Sequence, residues 1–269
     1  MLSKVSIKGN VKWIFAAAAL ALFVLAGLDS RLCIKSYSVD TEKLDASIRL
    51  ALITDLHSCE YGDGQEELIE AVREQEPDIV MLGGDIFDDK IPDDNAEEFI
   101  SAIAGLYPCF YVTGNHEYWS AKDAFDAKMS ILDKYGVPVL SGETETVTIN
   151  GENLIVCGAD DPDSVMIGSD TEAAGLEHQL NSMGGMLREG AYTILLSHRP
   201  EEFELYASLD FDLVLSGHAH GGQWRIPGLL NGLYAPNQGF FPEYAGGIYE
   251  KDGTTMIVSR GLARESTRI

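Results

Sequence analysis

Histidine, aspartate and asparagine recur in this chain directly after short apolar runs. His218 and His220 stand one residue apart in Gly217-His218-Ala219-His220-Gly221-Gly222, behind the run Asp212-Leu213-Val214-Leu215-Ser216. Imidazole is the commonest side-chain metal ligand, and glycines let a turn fold tightly enough to aim two rings at one point. A polar turn with two solvated rings would give the same six residues, so the rest of the chain has to decide. Four other apolar runs end in the same manner. Asp55 and His57 follow residues 47–54, Asp85 follows 78–82, Asn115 and His116 follow 110–113, and His198 follows Tyr192–Ser197. Five of the six histidines fall at such ends; His178, in a polar helical stretch, reads as a surface residue.

Carboxylate and amide oxygens mixed with imidazole nitrogens suit Mn²⁺, Fe or Zn²⁺ better than Ca²⁺. The four cysteines, Cys33, Cys59, Cys109 and Cys157, are scattered without a Cys-x-x-Cys spacing, so neither a structural zinc ribbon nor a disulfide framework is indicated. One ion accepts about four to six donors and the strand ends offer more. Two ions are therefore expected, with one carboxylate bridging them.

The elements that must carry these residues read as alternating strands and helices. Residues 47–54, 78–82 and 110–113 are short apolar strands. Residues 65–76, 95–106 and 121–135 are helices, the first with Leu68, Ile69 and Val72 on one face and the second with Phe99, Ile100 and Ile103. Such alternation implies a parallel sheet covered on both faces, and ligands of open α/β sheets bind beyond the carboxyl ends of the strands. After Gly136 the texture changes: residues 145–149 and 153–157, joined by Asn150-Gly151, read as a hairpin, so the second half opens with antiparallel pairing. Helices are expected around 171–180 and over 200–207, and strands over 192–197, 212–216 and 254–259. Residues 223–247 read as a long loop rich in Gly, Pro and aromatic side chains. No linker, tandem repeat or low-complexity segment divides this part of the chain.

Taken in order, Asp55-x-His57, Gly84-Asp85, Gly114-Asn115-His116-Glu117, His198 and Gly217-His218-x-His220 resemble the motifs of the calcineurin-like metallophosphoesterases, from about residue 48 to residue 261. The stretch from Gly217 to Gln223, together with a hydrophobic N-terminal segment, looks most like a bacterial membrane-associated branch, some members of which act on UDP-2,3-diacylglucosamine. The resemblance implies a four-layer α/β/β/α sandwich. It implies one cation held by Asp55, His57, Asp85 and His220, a second held by Asp85, Asn115, His198 and His218, and Asp85 as the bridge. Mn²⁺ is the favoured metal. It further implies a hydrolase that cleaves a phosphodiester, phosphomonoester or pyrophosphate, with a lipid-linked substrate among those expected. Two neighbouring cations lower the pKa of a shared water toward neutrality, so the expected nucleophile is a hydroxide bridging them. His116 would then protonate the leaving oxygen; a structural histidine behind the ligands is its alternative role. A phosphoprotein phosphatase and a metal-binding interaction module without turnover are the other functions this fold could serve. Relatives usually continue past the last Gly-Leu with another strand, whereas this chain stops at Ile269, so its last strand is expected to be missing.

Weaker signals flank these motifs. Arg199 and Arg225 could grip phosphate with a planar fork, or form surface ion pairs. Asp160-Asp161 follows a strand and could orient a ligand. Cys59 reads as inert. The aromatic loop 234–244 could meet an acyl chain or a membrane, although such residues more often fill a core beneath a long loop.

Bulk composition bounds the rest. At 269 residues and 45% hydrophobic, the chain is long and apolar enough for a substantial core. Residues 1–40 carry five Lys/Arg against two acids, while the remainder carries 14 basic and 41 acidic residues, a balance of −27. That field repels nucleic acid, and no nucleic-acid binding is expected. An anionic substrate would need strong local positive charge, which divalent cations supply. Residues 13–28 are free of charge, a helix of about 24 Å. Lys12 and Trp13 can reach the interface at its end, so a single-pass anchor is expected, with a cleaved signal peptide as the rival. Three lysines before the segment, against Arg31 and Lys35 after it, put the catalytic domain on the outer face of the cell membrane, or outside the cell if the segment is cleaved. The domains are thus 1–35, a basic segment with the anchor, and 36–269, the phosphoesterase domain.

Overall fold

The structure, a computed structural model, describes residues 12–18, 21, 24, 31–167, 175–184, 190–226 and 228–264. The chain divides into two compact units, 1–33 and 34–269. In the first, residues 12–18 are helical, with Trp13, Ile14 and Phe15 at 77%, 65% and 71% exposure. The expected anchor over 13–28 falls largely outside the described residues. Among the described residues no helix is long and apolar enough to cross a membrane.

The second unit begins with three β/α repeats: β1 (Leu50–Ile53), α1 (Glu66–Arg73), β2 (Ile79–Gly83), α2 (Asp94–Ala104), β3 (Cys109–Val112), the short α3 (Asn115–Tyr118) and α4 (Lys122–Lys134). Glu66 and Glu67 in the first turn of α1 and Arg73 in its last complement the helix dipole. The three strands form a parallel sheet in the order β1-β2-β3. Every residue of β2 is buried, as expected of a central strand covered on both faces.

The antiparallel pair β4 (Glu143–Ile149) and β5 (Glu152–Ala159) follows, and both turn residues, Asn150 and Gly151, have the positive φ that a tight hairpin requires. Then come α5 (Leu176–Gly184), β6 (Tyr192–Ser197), α6 (Phe203–Ala207), β7 (Leu213–Ser216), the two-residue strands β8 (Tyr234–Ala235) and β9 (Gly239–Phe240), β10 (Gly247–Lys251) and β11 (Thr254–Val258). The large sheet has the order β10-β11-β7-β6-β5-β4. It is parallel through its middle and antiparallel at both edges.

One apolar core joins the sheets, contributed by Ile79 and Met81 of β2, Phe110 and Val112 of β3, Val156 of β5, Leu196 of β6 and Leu215 of β7. A second covers the other face of the large sheet with Leu180 and Met183 of α5 and Phe203 and Tyr206 of α6. Alternate residues of the small sheet, Val80, Leu82 and Tyr111, turn the opposite way and are equally buried, matched by the buried faces of α1 and α2. The result is helix, sheet, sheet and helix in layers.

Four local expectations change. β10 lies at the end of the expected loop and just beyond it; its alternately exposed residues and Gly-Gly start hide an edge strand. Residues 234–240 of the same loop form a small hairpin. The helix expected over 171–180 is seen as Leu176–Gly184, and its expected first turn lies outside the described residues. Asn115 opens a one-turn helix where only a strand end was expected.

Candidate metal centre

The carboxyl ends of β1, β2, β3, β6 and β7 converge where the sheets meet. Asp55 N–H donates to the Gly84 carbonyl (3.0 Å) and His57 N–H to the Asp85 carbonyl (2.9 Å), which ties the β1 and β2 ends together. Gly217 N–H donates to the His198 carbonyl (3.1 Å), tying β7 to β6. Asp55, His57, Asp85, His218 and His220 all adopt positive φ, between 45° and 65°. Each such residue costs about 1–3 kcal/mol of backbone strain and persists only where surroundings enforce it, often at functional sites.

These turns bring the side chains into overlapping groups: Asp55, His57, Asp85 and His220 in one, Asp85, His198 and His218 in a second, and His57, Asp88 and His116 in a third beside the first. Within each, donor atoms lie within 4.8 Å of one another; Asp85 belongs to the first two and His57 to the first and third. His116 N–H donates to Asp85 Oδ1 (2.8 Å), which leaves Oδ2 facing His198 Nε2 at 3.1 Å and His57 Nε2 at 3.8 Å. His218 N–H donates to the Asp55 carboxylate, whose Oδ1 lies 3.6 Å from His220 Nε2. Backbone must come very close for this. A Cβ on Gly114 would stand 2.2 Å from Asp85 Oδ1, and one on Gly217 would stand 2.6 Å from Asp55 Oδ2.

The donor set fits divalent cations. Asp85 Oδ2, Asn115 Oδ1, both ring nitrogens of His57, His198 Nε2 and His218 Nδ1 are buried without a hydrogen-bond partner. Asp85 Oδ2 and His198 Nε2 have each other at 3.1 Å and His57 Nδ1 has Asp88 at 3.4 Å, ion-pair approaches that offset part of the burial. A buried polar atom left wholly unpaired costs about 1–3 kcal/mol, so Asn115 Oδ1 and His218 Nδ1 are the donors most plainly left for a cation. His198 Nδ1 lies 2.8 Å from the Gly83 carbonyl, an acceptor only, so Nδ1 carries the proton and Nε2 presents its lone pair when the ring is neutral. Without cations the charges show the same focus. Burial alone would lower the His198 pKa, but the carboxylates of Asp85, Asp55 and Asp161 together outweigh it and push it up to about 10. Burial would raise Asp85, yet His198, His116 and His57 hold it well below the usual carboxylate range.

Three further residues hold this arrangement, and the motif reading gave them no role of their own. The fully buried Glu117 accepts from Asp85 N–H (3.0 Å), Gly114 N–H (2.8 Å), Phe87 N–H (3.0 Å) and the Tyr111 hydroxyl (2.7 Å), clamping the β2 and β3 ends. Asp89 Oδ1 lies 2.8 Å from His116 Nδ1, and Asp88 lies 3.4 Å from His57 Nδ1 and 3.6 Å from His116 Nδ1. Both aspartates follow Asp85 on one turn, so a search for further carboxylates past that strand end would find them.

The weaker candidates separate. Arg199 is buried with its fork on Asp161, Nε to Oδ2 and Nη2 to Oδ1 at 2.7 Å. Arg225 is exposed, close enough to Arg260 to lower that residue's pKa after burial has done so. Asp160 is engaged by Ser141 and Thr113 rather than by the donor cluster. His178 is exposed and Cys59 is buried as a free thiol.

The chain is similar to known proteins. The chain is 32% identical over 266 residues to an uncharacterized metallophosphoesterase of Helicobacter pylori, covering 95% of this chain and 66% of that protein, so it spans just under two-thirds of that relative. An uncharacterized metallophosphoesterase of Aquifex aeolicus is 32% identical over 238 residues, 85% of this chain and 83% of the other. The fold resembles that of a 5'-nucleotidase precursor from Thermus thermophilus, with a TM-score of 0.55 at 16% identity over 81% of this chain and 49% of that one. The model of the calcineurin-like phosphoesterases matches residues 48–222, the stretch that carries every donor of the cluster, and the chain belongs to that family.

Proposed function

We propose that the chain is a phosphoric ester hydrolase that works with two divalent cations, one held by Asp55, His57, Asp85 and His220 and the other by Asp85, Asn115, His198 and His218. The observation that carries this reading is the convergence of six buried donor atoms without a hydrogen-bond partner on one point shared through Asp85. Bound there, the cations would activate water and neutralise phosphoryl oxygens. Mixed oxygen and imidazole donors favour Mn²⁺, with Fe and Zn²⁺ as alternatives.

The remaining work falls to the chain itself. Asp89 Oδ1 lies 2.8 Å from His116 Nδ1, where a protonated ring donates to it and is held with Nε2–H available to the leaving oxygen. Glu117 fixes the Asp85 and Asn115 turns in register. The Asp161–Arg199 pair supports the far wall rather than offering a free fork to phosphate. Hydrolysis of bis-p-nitrophenyl phosphate by purified protein with Mn²⁺ tests the reading. Activity that vanishes with chelation and with Asp85→Asn is expected, and equal turnover by the variant would end it.

An amphiphilic, lipid-linked phosphoester is the substrate class we favour, with the large exposure of Phe240 and Phe241 in support. The apolar, exposed Trp13, Ile14 and Phe15 support an N-terminal membrane anchor, and three lysines before the segment against Arg31 and Lys35 after it favour the enzyme on the outer face. Turnover of short soluble diesters equal to that of nucleotide-lipid pyrophosphates would argue against the first. Recovery of the full-length chain in the soluble fraction would argue against the second.

A further inference from the structure

The hairpin of β8 and β9 sends Asn237 from its turn back to the metal centre. Asn237 Oδ1 lies 3.0 Å from His218 Nε2 and 2.8 Å from Arg199 Nη1, while Arg199 Nη1 itself lies 3.1 Å from His218 Nε2. No proton arrangement makes all three of these hydrogen bonds, because Arg199 Nη1 only donates, Asn237 Oδ1 only accepts, and His218 Nε2 can answer one of them. A guanidinium nitrogen can only donate, so the Asn237 atom facing it must be the carboxamide oxygen. That oxygen can only accept, so His218 Nε2 bonds with it only when it carries a hydrogen; with the hydrogen on Nδ1 instead, Nε2 would accept from Arg199 and the Asn237 contact would be no bond. A neutral ring with its proton on Nε2 has its lone pair on Nδ1, the atom that is buried without a partner beside Asp85 and His198. Asp161 fixes the start of the sequence by holding Arg199 through Nε and Nη2.

We infer that Asn237 is a positioning residue which, with its amide oriented by Arg199, sets the tautomer of His218 and thereby aims Nδ1 at the second cation. The inference rests on His218 being a cation ligand. It also assigns Arg199 a function: the same guanidinium would drive the opposite tautomer if Asn237 were gone. With no oxygen at position 237, the nearest polar partner of His218 Nε2 would be Arg199 Nη1 at 3.1 Å, ahead of Glu201 Oε1 at 3.9 Å, so the guanidinium would donate to Nε2, the ring proton would sit on Nδ1, and the ligand atom would be blocked. Burial, His198 and Arg199 all lower the His218 pKa, in keeping with a neutral ring.

The test uses the whole chain with its histidines ¹⁵N-labelled; there are only six. In the metal-free protein His218 should show a protonated Nε2 and an unprotonated Nδ1. Asn237→Leu should reverse that pattern and weaken one of two Mn²⁺ sites by about 10–100-fold in calorimetric titration, the usual cost of losing a residue that orients a ligand. Asn237→Asp, which still accepts from Nε2, should restore both the tautomer and the affinity. A protonated Nδ1 in the unaltered metal-free protein would overturn the inference even if Asn237→Leu failed to fold. So would Asn237→Leu binding two cations as tightly as the unaltered chain. Absence of any cation binding by the unaltered chain would instead remove the hydrolase reading on which it rests.

Discussion

Replacing Glu117 with leucine separates the clamp from the ligands it holds. The side chain accepts four hydrogen bonds in a fully buried place, three from backbone N–H groups and one from Tyr111. Leucine fills similar space, admits no water and accepts none of them. Four buried donors left unpaired, at about 1–3 kcal/mol each, cost about 4–12 kcal/mol. One gain opposes this. Burial and the neighbouring Asp85 carboxylate push the Glu117 pKa from 4.5 up to about 7. Removing that unfavourable charge returns about 3 kcal/mol at pH above 7. The expected net loss is about 5 kcal/mol, a large part of a typical domain stability of about 5–15 kcal/mol. Urea unfolding of the metal-free protein measures it. With a slope of about 3 kcal/mol per molar, the midpoint should fall by about 1.7 M. Glu117→Gln sheds the charge and keeps one acceptor oxygen, so it should fall by less than half as much. A midpoint within about 0.3 M of the unaltered protein for Glu117→Leu would refute the clamp.

Other changes probe the site more directly. Gly114→Ala puts a methyl against Asp85 Oδ1 and should cost both cations while the far-UV circular dichroism stays native; retained stoichiometric Mn²⁺ would contradict the close approach. His116→Gln and Asp89→Asn should slow hydrolysis of alkyl phosphodiesters by about 10²–10⁴-fold, and p-nitrophenyl esters, whose leaving group needs no proton, far less. Equal losses on both substrates would assign His116 a structural role. In the metal-free protein the raised His198 pKa means that a cation must displace a proton, so apparent affinity should rise about tenfold per pH unit between pH 6 and 8. A flat titration over that range would count against His198 as a ligand.

The donors of the metal centre could be read in the sequence because each follows an apolar strand, and parallel strands end on one side of a sheet. What holds those donors could not. Glu117 is visible in the sequence only as the last letter of a motif, and its four bonds come from the turn after β2, the turn after β3 and Tyr111 within β3. Asn237 lies in a loop whose composition signals only irregular structure, and its place is set by a two-residue hairpin too short to leave a pattern. Arg199 allowed two readings at the level of sequence. Its neighbour across the site, Asp161, is 38 positions away, and no local spacing could choose between phosphate and carboxylate. β10 was hidden for the opposite reason: an edge strand half open to water carries no continuous apolar run.

The left-handed turns at Asp55, His57, Asp85, His218 and His220 restrict how this centre could be redesigned. Among side chains other than glycine, asparagine, aspartate and histidine enter that conformation most readily, and they are also short donors of oxygen or nitrogen. Conformation and coordination thus select the same small alphabet. Installing glutamate or cysteine to recruit a different element would oppose the backbone before any bond to the ion formed. Exchange among aspartate, asparagine and histidine is the path along which the selectivity of this fold can drift.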